Sequence, residues 1–378
     1  MLNGPAWLPV YAQMPLTAVS GHGSWLVDDR GQEWLDAYGG HAVASTGHCH
    51  PHVVQAIQQQ AATLIFYSTA VPHRSREELA DRIAERCPGD LSKVFFCNSG
   101  AEANENALGL ARKATGRQRI VSVSGGWHGR TVACLAVTDG AKYEAGAKRA
   151  GLPLSSKVPF NDVAALEAAV QPDVAAVIIE PVQGLTGARD CSPEFLRAAR
   201  TACDRAGAAL IFDEIQCGVG RSGAFTAAEV YGVTPDILTL AKGLASGLPI
   251  GAMVATRALT SGLEPGDLGS TFGGAPMACA AALATLEVID REKLYDNVKR
   301  VSARIAQWAS AKFPVQGRGL LLGLRLPKPA AEIQRALFGH RVLTGTASDP
   351  AILRLLPPLS FSVDEADLLL GSLSTVLP

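Results

Sequence analysis

Leu210-Ile211-Phe212-Asp213-Glu214-Ile215-Gln216 is an apolar run that turns abruptly into charge, and Thr239-Leu240-Ala241-Lys242-Gly243 repeats the form with a lysine in front of a glycine-rich turn. Each reads as a buried strand whose last residues leave the sheet. In an open α/β sheet ligands bind outside the carboxyl ends of the strands, so charge placed there marks the edge of a site. Working outward, short apolar runs predict further strands at Lys93–Cys97, Arg119–Val123, Thr131–Val137, Val174–Glu180, Ala208–Asp213, Ile237–Ala241 and Ile250–Val254. Several are apolar throughout, as strands covered on both faces are. Helices are predicted over Ala101–Ala114, Pro193–Ala206 and Pro276–Asp290, with Ser192 and Pro193 supplying an N-cap and a favoured first helical residue. Residues 51–290 therefore read as an α/β layered unit.

Beyond residue 290 the pattern changes to a basic amphipathic stretch, a strand at Gly319–Leu326, a helix near Ala330–Phe338, short strands and a terminal helix. Ser362-Val363-Asp364-Glu365 has the spacing of a capping box that opens this last helix. Residues 291–378 form a smaller α+β unit, which the N-terminal residues 1–50 join through candidate strands at Trp25–Asp28 and Glu33–Asp36.

The 378 residues, 48% of them hydrophobic, suffice for one large domain and a smaller one. The 34 basic and 35 acidic side chains nearly cancel, which leaves no electrostatic footprint for nucleic acid or an anionic membrane and points to a small-molecule partner. No apolar run approaches the roughly 20 residues that cross a bilayer, and the N-terminus lacks a basic segment followed by an apolar one, so a cytoplasmic location is expected. The eight cysteines are scattered without a CxxC pair and read as reduced thiols. His48-Cys49-His50 invites a metal, but adjacent residues do not readily converge on one ion; a polar turn closed by Pro51 is the simpler reading, and no metal is expected.

Five segments carry candidate chemistry. Asn98-Ser99-Gly100-Ala101-Glu102 stands where a strand ends and a helix begins, so Ser99, Gly100 and Ala101 suit a phosphate, although an ordinary capped helix start has the same composition. In Gly125-Gly126-Trp127-His128-Gly129-Arg130, Trp127 suits the face of a flat ring and Arg130 the planar grip of a carboxylate; the alternative is a packed loop with a surface ion pair. Asp213 is better placed than Glu214 to face a ligand. Lys242, desolvated at its strand end, would have a lowered pKa and an amine free to form an imine; standing alone it would equally reach solvent. Gly269-Ser270-Thr271-Phe272-Gly273-Gly274 combines hydroxyls and glycines, as anion loops and flexible turns both do. By contrast, Gly218-Val219-Gly220-Arg221-Ser222-Gly223 matches G-x-G-x-x-G but neither follows its strand directly nor opens a clear helix, so it is not read as a dinucleotide site.

Taken in order, Gly47–Pro51 (GHCHP), Asn98–Glu105 (NSGAEANE), Trp127–Thr131 (WHGRT), Glu180–Gly184 (EPVQG), Phe212–Gly223 (FDEIQCGVGRSG), Thr234–Leu244 (TPDILTLAKGL), Gly269–Gly274 and Arg318–Leu324 (RGLLLGL) resemble the class III (ω-amino acid) aminotransferases, in particular the acetylornithine and ornithine aminotransferase branch. The likeness runs from near Tyr11 to the C-terminus. It implies pyridoxal 5′-phosphate (PLP) fold type I: a large α/β domain with a mixed, mostly parallel sheet, and a small α+β domain from both chain ends.

By this resemblance, Lys242 would carry the cofactor as a Schiff base, Asp213 would bind the pyridine nitrogen, Trp127 would stack on the ring and Gln216 would lie near its hydroxyl. Ser99, Gly100 and Ala101 would cradle the phosphate, with Thr271 reaching the neighbouring subunit's phosphate, which implies a homodimer. Arg130 matches the arginine that grips the donor's α-carboxylate. Relatives often read Gln-Gly-Glu-Gly where this chain has Gln183-Gly184-Leu185-Thr186-Gly187. The glutamate that masks the arginine corresponding to Arg354 is therefore missing, so Arg354 stays available to 2-oxoglutarate throughout or is neutralised by another group. The implied reaction moves the terminal amine of an ornithine-like donor, N-acetylornithine first, to 2-oxoglutarate, as in arginine biosynthesis. An ω-amine:pyruvate or diamine transaminase, an aminomutase or epimerase, and a non-catalytic protein of the same fold are the alternatives.

Overall fold

The computed structural model describes residues 8, 10–310 and 312–377. Seven strands form a central sheet, labelled here in chain order: β1 Leu91–Cys97, β2 Arg119–Val123, β3 Ser156–Val158, β4 Val174–Ile179, β5 Ala209–Asp213, β6 Ile237–Leu240 and β7 Gly251–Thr256. Their spatial order is β1-β7-β6-β5-β4-β2-β3. All run parallel except β7, which pairs antiparallel with both β6 and β1. β4, β5 and β6 are buried along their whole length, which is why they read as unbroken apolar runs. The helix Gly100–Thr115 packs on β4, β6 and β7, and Pro193–Ala206 packs on β4 and β5. The central sheet is thus mixed and mostly parallel, as the resemblance implies.

The two chain ends share structure. A meander of Ala18–His22, Trp25–Asp28 and Glu33–Asp36 takes Val342–Leu343 as a parallel fourth strand. A second small sheet joins Val315–Arg318, Leu321–Arg325, Ile352–Leu355 and Gly345–Thr346, all antiparallel. The capping box at Ser362 forms: Ser362 N donates to Glu365 Oε2 at 2.7 Å and Glu365 N donates to Ser362 Oγ at 3.1 Å. Glu365 also accepts from Ser24 Oγ at 3.1 Å and Trp25 Nε1 at 3.0 Å, so one carboxylate both starts the terminal helix and fastens the N-terminal meander to it.

One predicted strand is wrong. Thr131–Val137 is not extended; Val132–Val137 is a short helix with Thr131 at its N-cap position. The carboxylate of Glu105, from the neighbouring helix, accepts from the backbone N–H groups of Ala133 and Cys134 and from the Thr131 hydroxyl. An external acid at the helix start supplies the partners that helix termini lack, and a short apolar run is equally compatible with a buried helix.

The G-x-G-x-x-G segment is a buried run of turns. Its Arg221 donates to the carbonyl oxygens of Leu320 and Pro357, bracing the C-terminal part of the chain against the central sheet. His48, Cys49 and His50 diverge: His48 pairs with Asp36 and His50 with Glu292. No helix among the described residues is long and apolar enough to cross a membrane.

Close approach demands glycine at residue 251, where a Cβ would collide with Ser99 O and come within 2.8 Å of Cys97 Sγ. Gly251→Ala is expected to destabilise the protein by about 1–3 kcal/mol in urea unfolding. Gly371→Ala, in the terminal helix with open space around it, should be neutral or stabilising by up to about 1 kcal/mol.

Candidate active site

Five strands of the sheet deliver side chains to one edge. β1 leads into Asn98 and Ser99, β2 into the Gly125–Arg130 loop, β4 into Glu180, β5 ends on Asp213 and β6 leads into Lys242. These are the carboxyl ends of the parallel strands, where the backbone leaves the sheet and crossover helices begin. Together they line a cavity of about 440 Å³ whose walls include Ser99, Gly100, Ala101, Trp127, Arg130, Asp213, Gln216 and Lys242.

Asp213 is the most constrained of them. Its Oδ2 accepts from Asn104 Nδ2 at 2.7 Å and pairs with His128 Nδ1 at 2.8 Å, while Oδ1 accepts from Ile215 N at 3.1 Å. Asn104 is itself oriented by Thr239, whose hydroxyl donates to Asn104 Oδ1 at 2.8 Å, and by its own donation to His128 O at 2.8 Å. Glu214 turns the other way. It accepts from Ala227 N and Ala228 N at the start of the helix Ala227–Tyr231, and burial pushes its carboxyl up to about 8.

Lys242 sits in the left-handed region at φ 42°. Such backbone costs a non-glycine residue energy and persists where the surroundings over-determine it. Here Ser45 Oγ donates to Gly243 O at 2.6 Å and contacts Ser246 Oγ at 2.9 Å, and Thr46 and Thr285 hydroxyls also reach Ser246. Burial of the amine is the largest influence on Lys242 and holds its pKa below the ordinary lysine value, against the opposing pull of Asp213 and Glu180.

Glu180 is one of three site residues that sequence reasoning missed. Its Oε1 accepts from Trp127 N at 2.7 Å and its Oε2 from Gly184 N at 3.1 Å, clipping together two loops of the cavity wall. His128 and Asn104 were overlooked as well, although both lie inside motifs that the sequence offered. The signal for Glu180 was an acid directly after an all-apolar strand, the same pattern that singled out Asp213.

Trp127 has Tyr143 edge-on at 4.7 Å, and the Arg130 guanidinium lies 5.3 Å from the Trp127 ring centre and 5.6 Å from that of Tyr11. Ser99 caps the helix Gly100–Thr115, accepting from Glu102 N at 3.2 Å, and the first turn behind it leaves N–H groups without intrahelical partners. Gln216 sets its amide against Gly184, where an added Cβ would displace it. Two predicted residues do not line the cavity. Thr271 is exposed, on a turn held to Asn98 through Ser270 Oγ at 3.1 Å. Arg354 is buried nearby, donating to Thr346 O at 2.6 Å, Gly184 O at 3.0 Å and Tyr38 Oη at 2.8 Å, with no carboxylate within ion-pair distance among the described residues.

A half-buried lysine in the field of two carboxylates, beside an aromatic loop and an open helix start, suits an enzyme that works through a lysine amine on a phosphorylated, planar group. Residues 9–377 match the family model "Aminotransferase class-III", and the chain belongs to that family. It is an aminotransferase dependent on PLP. It is 41% identical to an acetylornithine aminotransferase of Methanocaldococcus jannaschii, over 98% of this chain and 95% of that one, and 43% identical to one of Streptomyces coelicolor, over 97% and 92%. The ornithine aminotransferase of Toxoplasma gondii superposes with a TM-score of 0.91 at 30% identity, over 98% of this chain and 91% of that one.

The side chains fit the cofactor. His128 and Gln216 line the cavity, and each keeps a buried polar atom, Nε2 and Oε1, without a hydrogen-bond partner. Trp127 offers a ring face, the helix start an anion cradle, and Lys242 an amine.

Burial pushes the Glu180 carboxyl up to about 7 from 4.5. Folding therefore strengthens proton binding there, and the stability Glu180 contributes is lost as pH rises from about 4.5 to about 7. Thermal unfolding of the cofactor-free protein across this window should show wild type losing stability relative to Glu180→Gln; a difference that does not change with pH contradicts the shifted carboxyl.

Proposed function

We propose that this enzyme moves the terminal amine of an ornithine-like donor, N-acetylornithine favoured, to 2-oxoglutarate. The observation that carries the reading is that Arg130, with no carboxylate paired to it among the described residues, lines the same cavity as Lys242. An arginine so placed grips the donor's α-carboxylate while the far amine meets the lysine. The kinship with acetylornithine and ornithine aminotransferases agrees with this.

In this reading Lys242 holds the cofactor covalently, Asp213 faces the pyridine nitrogen, Gln216 the ring hydroxyl and Trp127 one ring face, while Ser99, Gly100 and Ala101 hold the phosphate. The bound cofactor supplies an electron sink for the carbon next to the transferred nitrogen. Lys242, released when the donor binds, is the general base and then the acid that carries a proton to and from that carbon; its lowered pKa favours the free-base form that this needs. Asp213, fixed by Asn104, His128 and Ile215, keeps negative charge against the ring nitrogen.

Arg354 would take the acceptor's second carboxylate with the two N–H groups that Thr346, Gly184 and Tyr38 leave free. Leu185, which supplies only its carbonyl to Ser348 N at 3.0 Å, does not mask it. We assign the enzyme a homodimeric state. Leu64, Ile65, Tyr67, Val71 and Phe272 are exposed beside Thr271, and Arg76 ties their loops together through Tyr67 O, Val71 O and Gly274 O, a surface suited to a second copy. Eight unpaired cysteines fit the reducing cytoplasm, where the reaction would serve arginine biosynthesis.

A donor panel read by the cofactor's visible absorbance tests this. N-acetylornithine should convert the bound cofactor to its amino form, and Lys242→Ala should abolish that change. Arg130→Ala should raise the KM for N-acetylornithine about ten- to a hundredfold, while a diamine lacking a carboxylate changes little. Equal effects on both donors would sink the assignment of Arg130, and a protein that takes up no added PLP would overturn the mechanism.

A further inference from the structure

A second cavity, of about 420 Å³, is lined by Thr186, Arg189, Gln316, Arg325, Ser348 and Asp349, none of which lines the cavity around Lys242. Its charges do not cancel. Asp349 is already engaged at both oxygens, Oδ2 accepting from Arg325 Nη2 at 2.6 Å and Oδ1 from Ala351 N at 3.0 Å. Arg189 is left over, since its sequence neighbour Asp190 pairs with Arg318 at 2.9 Å. Among the described residues the Arg189 guanidinium donates no hydrogen bond and makes no ion pair; it lies on the Phe160 ring, 3.9 Å from the ring centre.

A half-buried cation without a counter-charge is unfavourable, and burial holds the pKa of Arg189 below the ordinary arginine value. Stacking on a ring occupies one face of a guanidinium and leaves its in-plane N–H groups, the planar fork that fits a carboxylate or a phosphate. Arg325 brings a second guanidinium to the same cavity, and Thr186 and Ser348 bring hydroxyls.

Residues 183–187 connect this cavity to the active site. Thr186 Oγ1 donates to Gln183 Oε1 at 3.1 Å, and Gln183 Nε2 donates to Ser124 O at 3.0 Å, just before the loop that carries Trp127 and Arg130. A Cβ on Gly125 would meet Thr186 Cγ2 at 2.9 Å and Arg189 Nη1 at 3.3 Å, so that loop rests on the cavity wall. In the other direction Ser348 N donates to Leu185 O at 3.0 Å, next to Gly184, whose carbonyl oxygen accepts from Arg354.

We propose that this cavity is a second anion site, which takes a small molecule by a phosphate or carboxylate head group on Arg189, and that its occupancy tunes the active site through residues 183–187. One unneutralised guanidinium beside a paired one suits a head group of one or two negative charges, and the cavity has room for a small molecule. An anion held by Arg189 and Thr186 changes how these residues pack on Gly125 and Gln183, and so acts on the Trp127–Arg130 loop.

Calorimetry with inorganic phosphate and with succinate, on the PLP-loaded enzyme at low salt, compares wild type with three variants. Arg189→Gln removes the charge, and Arg189→Lys keeps it without the planar fork. Ser348→Asp places a carboxylate on the cavity wall at an exposed position, leaving the packing of Arg189 on Phe160 alone. Wild type should bind at least one probe saturably. Arg189→Gln and Ser348→Asp should weaken that binding about ten- to a hundredfold, with Arg189→Lys recovering part of the loss. The tighter probe identifies the head group as phosphate or carboxylate. In turnover with an active donor, that probe should alter the wild-type KM about twofold more than it alters the KM of Arg189→Gln, a difference that competition at the substrate arginines does not produce. Equal binding by wild type, Arg189→Gln and Ser348→Asp puts the anion in the active site and overturns the proposal, as does the absence of saturable binding. An identical KM response in wild type and Arg189→Gln overturns the coupling.

Discussion

An amine enclosed by protein at the carboxyl edge of a sheet is tolerated only where negative charge lies within its field, and the organisation of this molecule follows from meeting that condition. Burial drives Lys242 toward its neutral form, and Asp213 and Glu180 pull the other way. The outcome is an amine with a lowered pKa that is still held in an acidic environment, the balance that a nucleophile and proton carrier needs. Asp213 can play its part because Asn104, His128 and Ile215 fix both of its oxygens, and Asn104 is fixed in turn by Thr239. These residues come from different strand ends and a helix, so the strand order of the sheet is a condition of the chemistry.

The same constraint explains why the chain ends cannot be dispensed with. The turn after Lys242 is held by Ser45 and Thr46, which belong to the N-terminal segment, and by Thr285 from the helix Pro276–Arg291. Arg221 and Glu365 then fasten the C-terminal part to the sheet and to the N-terminal meander. Gly184 joins the systems: its N–H donates to Glu180, and its carbonyl oxygen accepts from Arg354. Trp127, Glu180, Gly184 and Arg354 are thus one hydrogen-bonded path from the aromatic loop to the far end of the site.

Much of this was legible because the relevant residues stand at abrupt changes in hydrophobicity. β4, β5 and β6 are buried on both faces, so their apolar runs and the charges that end them are visible without a structure. The capping box at Ser362 was visible for a similar reason, since its partners are three residues apart. Thr131–Val137 was misread because its helix depends on Glu105, distant in sequence and brought in by packing. Glu180 was passed over inside a motif that had been noted, since its hydrogen bonds to Trp127 N and Gly184 N belong to loop geometry and not to residue type.

Residue order alone determined the layered α/β architecture, the family, and the set of strand-end groups around Lys242, because hydrophobic period and local turn chemistry act over a few residues. Only the tertiary structure decided which of two adjacent acids faces the cavity, that Glu180 links two of its loops, and that Arg354 is caged by carbonyl groups and Tyr38. Those outcomes turn on long-range hydrogen bonds and on the electrostatics of burial, which depend on distances between segments far apart in the chain.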